Sequence, residues 1–199
     1  MDADLLAAAG PGRVVIVALA AAPGREYAAA SANGVRHFSA LGAVADAAPD
    51  ARSDPAGALA AIEDAQLVVL PGGSPSRLLA ALEQTDAAGA LRRHVQAGRA
   101  VMGASAGAMV LCEHLVLPGR APRVVPGLAL VPGCLVVPHS TGPGTAEDRG
   151  WPRPAGVTVL GLPECAGLFV EGATATAVGS APSAVGARTL TVGESVILP

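Results

Sequence analysis

Residues 99–111 read RAVMGASAGAMVL, and no other stretch so narrows what this chain of 199 residues can fold into. A short apolar run meets Gly103-Ala104-Ser105-Ala106-Gly107 and continues directly in helix-forming residues, the pattern of a nucleophile elbow. In such an elbow a strand turns sharply into a helix and lifts the serine hydroxyl clear of the backbone. Small residues on either side let strand and helix approach closely. The amide of the next residue, Ala106, then points at whatever Ser105 attacks, and the positive end of the new helix adds to its pull on a developing oxyanion. With 25 glycines in the chain, G-x-S-x-G alone arises easily by chance, so the surrounding sequence has to support the reading.

The preceding hundred residues alternate strand and helix patterns. Residues 13–19 (RVVIVAL) form the continuous apolar run expected of a parallel strand covered on both faces. An Ala-rich helix follows over 25–41, with Asn33-Gly34 as a weak point inside it. A short second strand fits 43–45. Asp54-Pro55 then reads as an N-cap with proline at the first helical position, opening a helix through Ala65. The next strand, 66–70 (QLVVL), runs into Pro71-Gly72-Gly73-Ser74-Pro75-Ser76. Two glycines at a strand's carboxyl end, then Ser74 as cap, set backbone amides where a ligand can meet them. Helices over 75–83 and 86–97 lead to the elbow strand. The alternation predicts an α/β fold, a doubly wound, mostly parallel sheet of flavodoxin-like type, with the glycine turn and Ser105 at its carboxyl edge.

After about residue 117 the texture changes to Gly/Pro-punctuated β runs at 124–125, 135–137, 157–160, 167–170, 174–178, 189–192 and 196–198. These read as late strands and C-terminal hairpins of the same domain, so residues 1–199 are expected to form one α/β hydrolytic domain. Residues 142–156 (GPGTAEDRGWPRPAG) form the clearest long loop.

Composition excludes several partner classes. Hydrophobic residues make up 51% of the chain and charged residues 15%, which excludes disorder. Only four residues are aromatic, so the core must be built from Ala, Val and Leu. A formal net charge of -3 without a basic block argues against nucleic acid or an anionic membrane as partner. Three widely spaced cysteines without C-x-x-C indicate neither a disulfide framework nor a zinc site, and no metal or cofactor is expected. A reducing cytoplasm fits. The run at 14–22 reads as a buried first strand and not as a leader, and no run is long enough to span a bilayer.

A serine nucleophile needs a base, and the chain offers His37, His94, His114 and His139. His37 and His94 fall within predicted helices, at solvated or boundary positions. His114 follows the elbow helix too closely to aim back at Ser105. His139 ends the apolar run 134–138, where a side chain can reach the sheet's carboxyl edge.

With these pieces in order, the chain resembles the S51 serine peptidases, the family of aspartyl dipeptidase and cyanophycinase on a class I glutamine amidotransferase-like fold. The resemblance runs from about residue 13 to 171. It rests on RVVIVAL, HFSALGA, AIEDAQLVVLPGGSPSRLLAALEQT, GASAGAMVL, GLALVPG, VPHS and LGLPE in sequence. It implies Ser105 as nucleophile, His139 as catalytic histidine, Glu164 as the third triad member, and the amides of Gly73 and Ala106 as oxyanion hole. Among other acids, Glu113 would project from the elbow helix two turns beyond Ser105. Glu147 and Asp148 lie in the long loop, whereas Glu164 follows a strand and the stiff Leu162-Pro163 step. Amidotransferases of this fold use an elbow cysteine and an H-x-E pair; here the residue two after His139 is Thr141, which disfavours ammonia transfer from glutamine.

The expectation is hydrolysis of a small peptide, aspartyl or isoaspartyl, by a Ser-His-Glu triad, in a protein free to form a homodimer. Ser74, Arg77, Ser140, Arg149 and Arg153 are the candidate substrate-binding residues, the arginines because guanidinium pairs bidentately with a carboxylate. Ser74 stands where family members commonly carry Asn, and Ser140 where they carry an aromatic. These two positions motivate one alternative, a binding or regulatory module without turnover on the same fold; the other is a non-peptidase hydrolase or amidotransferase-like protein.

Overall fold

The structure, a computed structural model, describes residues 1–143 and 145–199, and the backbone alone of residues 147 and 148. The chain divides into two compact units, residues 6–108 and residues 109–199 with residues 1–5. An opening helix, α1 (Asp2–Ala9), for which the sequence shows no amphipathic pattern, precedes the first strand.

Residues 6–108 follow the expected alternation closely. The elements are β1 (Arg13–Ile16), α2 (Arg25–Ala40), β2 (Val44–Ala47), α3 (Pro55–Asp64), β3 (Leu67–Leu70), α4 (Pro75–Gln84), α5 (Ala87–Gln96) and β4 (Ala100–Gly103). The strands make a parallel sheet in the order β2-β1-β3-β4. Its middle strands are buried on both faces, with Val14, Val15, Ile16, Leu67, Val68 and Leu70 at most 2% exposed, which is why they read as unbroken apolar runs. The caps form as their chemistry dictates: Asp54 accepts from the Gly57 amide at 2.9 Å, and Ser74 from the Arg77 amide at 3.3 Å. Gly34, a weak point on propensity alone, is where α2 crosses β1; a Cβ there would come within 2.8 Å of the Ile16 side chain.

His94 corrects one expectation. It lies on the inner face of α5, 3% exposed, and its Nε2 donates to the Ala100 carbonyl at 3.0 Å. Burial disfavours the charged ring and holds its pKa below the ordinary 6.5. The folded state therefore resists a proton that the unfolded chain accepts, so stability present above pH 6.5 is lost as the pH falls through the lowered value. Urea midpoints measured from neutral pH downward are expected to fall more steeply in the wild type than in His94→Gln, whose amide can still donate to Ala100 without titrating. Parallel slopes would show that His94 is not the responsible group.

After the elbow come α6 (Ala106–Leu111), β5 (Cys112–Leu117), β6 (Arg123–Pro126), β7 (Val131–Pro138), α7 (Thr145–Asp148), β8 (Thr158–Leu162), β9 (Ala166–Glu171), β10 (Thr174–Gly179), β11 (Ser183–Val185), β12 (Arg188–Leu190) and β13 (Ser195–Ile197). Strands β12-β11-β8-β7-β5-β6 form one sheet, in which β5, β7 and β8 run parallel and the remaining pairings are antiparallel. The antiparallel set β13-β10-β9 supplies the expected C-terminal hairpins. The fold is α/β, and the parallel strands β3, β4, β7 and β8 are followed by the Gly72-Gly73 turn, Ser105, His139 and Glu164 respectively.

The cysteines are all free. Cys112 and Cys134 are buried, and burial pushes both thiols up, Cys134 to about 11; Cys165 is exposed. Among the described residues no helix is long and apolar enough to cross a membrane.

Candidate active site

In residues 6–108 the site begins from strand register. β3 and β4 are paired so that Leu70 stands opposite Gly103, which brings the turns that follow the two strands side by side. A Cβ placed on Gly72 would lie 3.2 Å from the Ser105 Cβ. Ser105 itself adopts φ +50°, a left-handed conformation that costs a non-glycine residue about 1–2 kcal/mol. The Ala104 amide donates to Leu70 at 3.0 Å and the Gly107 amide to Ala104 at 2.8 Å, closing the turn on both sides of the serine. The flanking glycines are required by contact. A Cβ on Gly103 would meet the Gly107 carbonyl carbon at 2.4 Å, and one on Gly107 would stand 2.0 Å from the Leu70 oxygen. Ser105 is therefore the residue at a sharp strand-to-helix turn, with Ala106 starting α6.

The glycine turn beside it is equally constrained. Gly73 has φ +145°, and a Cβ there would come within 2.8 Å of the Ala20 oxygen. The Ser74 amide donates to the same oxygen at 3.1 Å, while the Ser74 hydroxyl caps α4 and lies 3.0 Å from the Ser76 hydroxyl. Arg77 donates from Nη1 to Ala20 at 2.9 Å and stands 3.4 Å from a Glu26 carboxylate oxygen. Ser74 and Arg77, expected to meet substrate, thus also hold the turn against Ala20 in the segment after β1.

In residues 109–199 the parallel neighbours β7 and β8 end together, with Pro138 opposite Leu162. His139 follows the first and Glu164 lies two residues beyond the second. The His139 Nδ1 is 2.5 Å from a Glu164 carboxylate oxygen, and both side chains are more than half exposed. A neutral imidazole that spends its Nδ1 proton on a carboxylate leaves Nε2 as a base. His139 too is left-handed, at φ +52°. The next amide, Ser140, returns to the ladder by donating to Leu162 at 3.1 Å.

Ser140 is buried, and its hydroxyl lies within 3.1 Å of Thr145 Oγ1 and of the Gly142 carbonyl, so it shapes the turn after the histidine. A cleft of about 330 Å³ opens beside it, walled by Val137, Thr145, Val159 and Gly161, with Arg153 on its lining. Arg149 faces the backbone: Nη1 donates to Pro138 at 2.9 Å and Nη2 to His139 at 2.5 Å. Sequence reasoning missed that contact, because a loop arginine ten residues from its acceptor carries no periodic signal.

Two other expectations change. Glu113 lies on strand β5 and not on the elbow helix, which stops at Leu111, and its carboxylate accepts from the Gly133 amide at 2.8 Å. The loop 142–156 contains the one-turn helix α7. The side chains of Glu147 and Asp148 lie outside the described residues.

The model of peptidase family S51 matches residues 9–178. Peptidase E of Streptomyces coelicolor is 37% identical over 147 residues, which cover 66% of this chain and 60% of that protein, so the matched part spans less than two thirds of the relative. The crystal structure of a peptidase from an acI-B1 Actinobacterium is similar at TM-score 0.76 and 23% identity, covering 94% of this chain and 83% of that one. A solved structure from Listeria monocytogenes EGD-e is similar at TM-score 0.62 and 15% identity, over 85% of this chain and 87% of the other. At these identities the two structures establish likeness of fold.

Proposed function

Since the chain belongs to peptidase family S51, we propose that it is a serine peptidase acting on short acidic peptides, aspartyl or isoaspartyl, in a reducing compartment. Ser105 Oγ attacks the scissile carbonyl and passes its proton to His139 Nε2. Glu164 holds the imidazole by its Nδ1 proton, and the Gly73 and Ala106 amides receive the oxyanion. His139 then returns the proton to the leaving amine, and water repeats the sequence on the acyl-enzyme. The observation that carries this reading is the left-handed Ser105 between β4 and α6, beside the Gly72-Gly73 turn. A residue in that conformation stores strain that ordinary packing does not need. Arg153, on the wall of the cleft beside Ser140, is the group offered to the acidic side chain of the substrate.

A panel of dipeptides tests this directly. Asp-X or isoaspartyl peptides should be hydrolysed in preference to their Asn counterparts, and a fluorophosphonate should label Ser105. Arg153→Ala should raise KM for acidic peptides about 10- to 100-fold, the worth of a charge-assisted hydrogen bond. Labelling without hydrolysis of any peptide would transfer the chain to another hydrolase class. No labelling would favour the binding module.

A further inference from the structure

The turn that carries His139 presents two consecutive carbonyls, that of Pro138, the last residue of β7 paired with β8, and that of His139, which follows it. One guanidinium takes both, through Arg149 Nη1 and Nη2. We propose that Arg149 is a positioning residue for the catalytic histidine, a role that rests on the peptidase reading above. Its two parallel donors fix the left-handed φ of +52° from which the imidazole reaches Glu164.

Three observations favour this role over an ordinary surface contact. First, a planar fork spanning two consecutive carbonyls restricts the peptide between them, as a single ammonium donor cannot. Second, the arginine is itself anchored. Its guanidinium carbon lies 5.3 Å from the centre of the Trp151 ring, and that ring packs against the buried cluster of Val116, Leu135, Val137 and Ala146. The Trp151 amide donates to Ala146 at 2.9 Å and the Arg149 amide to Thr145 at 3.1 Å, so the segment bearing the fork is tied to α7. Third, the His139–Glu164 pair is exposed, with side-chain accessibilities of 56% and 79%. Water screens the attraction between such groups, so their own hydrogen bond cannot by itself hold a strained backbone. The Ser140 amide ties one side of the turn to Leu162, and the Arg149 fork adds two hydrogen bonds on its carbonyls. The sole Trp of the chain thereby serves the histidine from twelve residues away.

The test compares wild type with Arg149→Ala, Arg149→Lys and His139→Gln. With only four histidines in the chain, two-bond ¹H–¹⁵N spectra assign His139 by difference and report which ring nitrogen carries its proton. In mildly alkaline buffer the wild type should show the Nδ1-protonated tautomer, and Arg149→Ala a mixture of both. On the best acidic dipeptide, kcat should fall about 10²-fold in Arg149→Ala, the scale of a small misplacement of a catalytic group, with KM nearly unchanged. Arg149→Lys should recover little of this, while added guanidine should restore part of it to Arg149→Ala. Wild-type tautomer populations in Arg149→Ala would overturn the proposal, as would a loss confined to KM, which would make Arg149 a substrate contact. If Arg149→Ala melts below the assay temperature, Arg149→Lys, which keeps the cation over Trp151, decides by the same two readouts. The tautomer arm needs no substrate, so it stands even if no peptide is cleaved and the peptidase reading itself fails.

Discussion

Ser105→Ala is expected to reduce peptide hydrolysis by about 10⁶-fold, the scale on which removal of a triad nucleophile acts, and to abolish fluorophosphonate labelling. The fold should survive. Alanine keeps the Cβ that the Gly72 contact already accommodates, and the two hydrogen bonds flanking the turn are made by backbone atoms of Ala104 and Gly107. The left-handed strain at position 105 remains, so thermal unfolding should shift little in either direction. Turnover by Ser105→Ala within tenfold of the wild type would remove the serine from the mechanism.

Glu164→Gln is expected to lower kcat by about 10⁴-fold, the loss seen when a triad acid becomes its amide. The glutamine amide can present a donor to Nδ1, which would favour the tautomer protonated on Nε2 and take away the base that Ser105 needs. Because the Glu164 side chain is 79% exposed, the substitution should leave unfolding unchanged, so the kinetic and structural readouts separate cleanly. Wild-type turnover in Glu164→Gln, beside an inactive Ser105→Ala, would make Glu164 an ordinary surface residue of the β8–β9 turn.

Much of this molecule is legible in its sequence. The first half is, because its strands are buried on both faces and its helices start at Asp54-Pro55 and Ser74-Pro75, where cap chemistry is local. The elbow could be read because glycines 103 and 107 mark a close approach that any side chain would block. His139 stood out as the histidine at the end of an apolar run, and the family resemblance named Glu164 as its partner; the two lie 25 residues apart in sequence. What escaped was non-local or unpunctuated. Strand β5 begins at Cys112 directly after α6, with no Gly or Pro between them, so Glu113 was assigned to a helix that had already ended. His94 looked like a boundary residue because α5 carries polar neighbours at Arg92 and Arg93, and only the packed α5 shows which way its ring turns. The carbonyl partners of Arg149 escaped because they are invisible to composition.

The clearances at Gly103 and Gly107 bear on how descent is read in this family. Both glycines answer to the backbone: one keeps the start of α6 off its own strand, the other keeps it off Leu70. Neither has a part in the proposed reaction. A relative without the proposed hydrolysis would still meet the same two contacts and so would go on displaying most of the signature. Only position 105, in the middle of the pentapeptide, separates the two demands: its backbone would accept alanine, and the proposed mechanism would not.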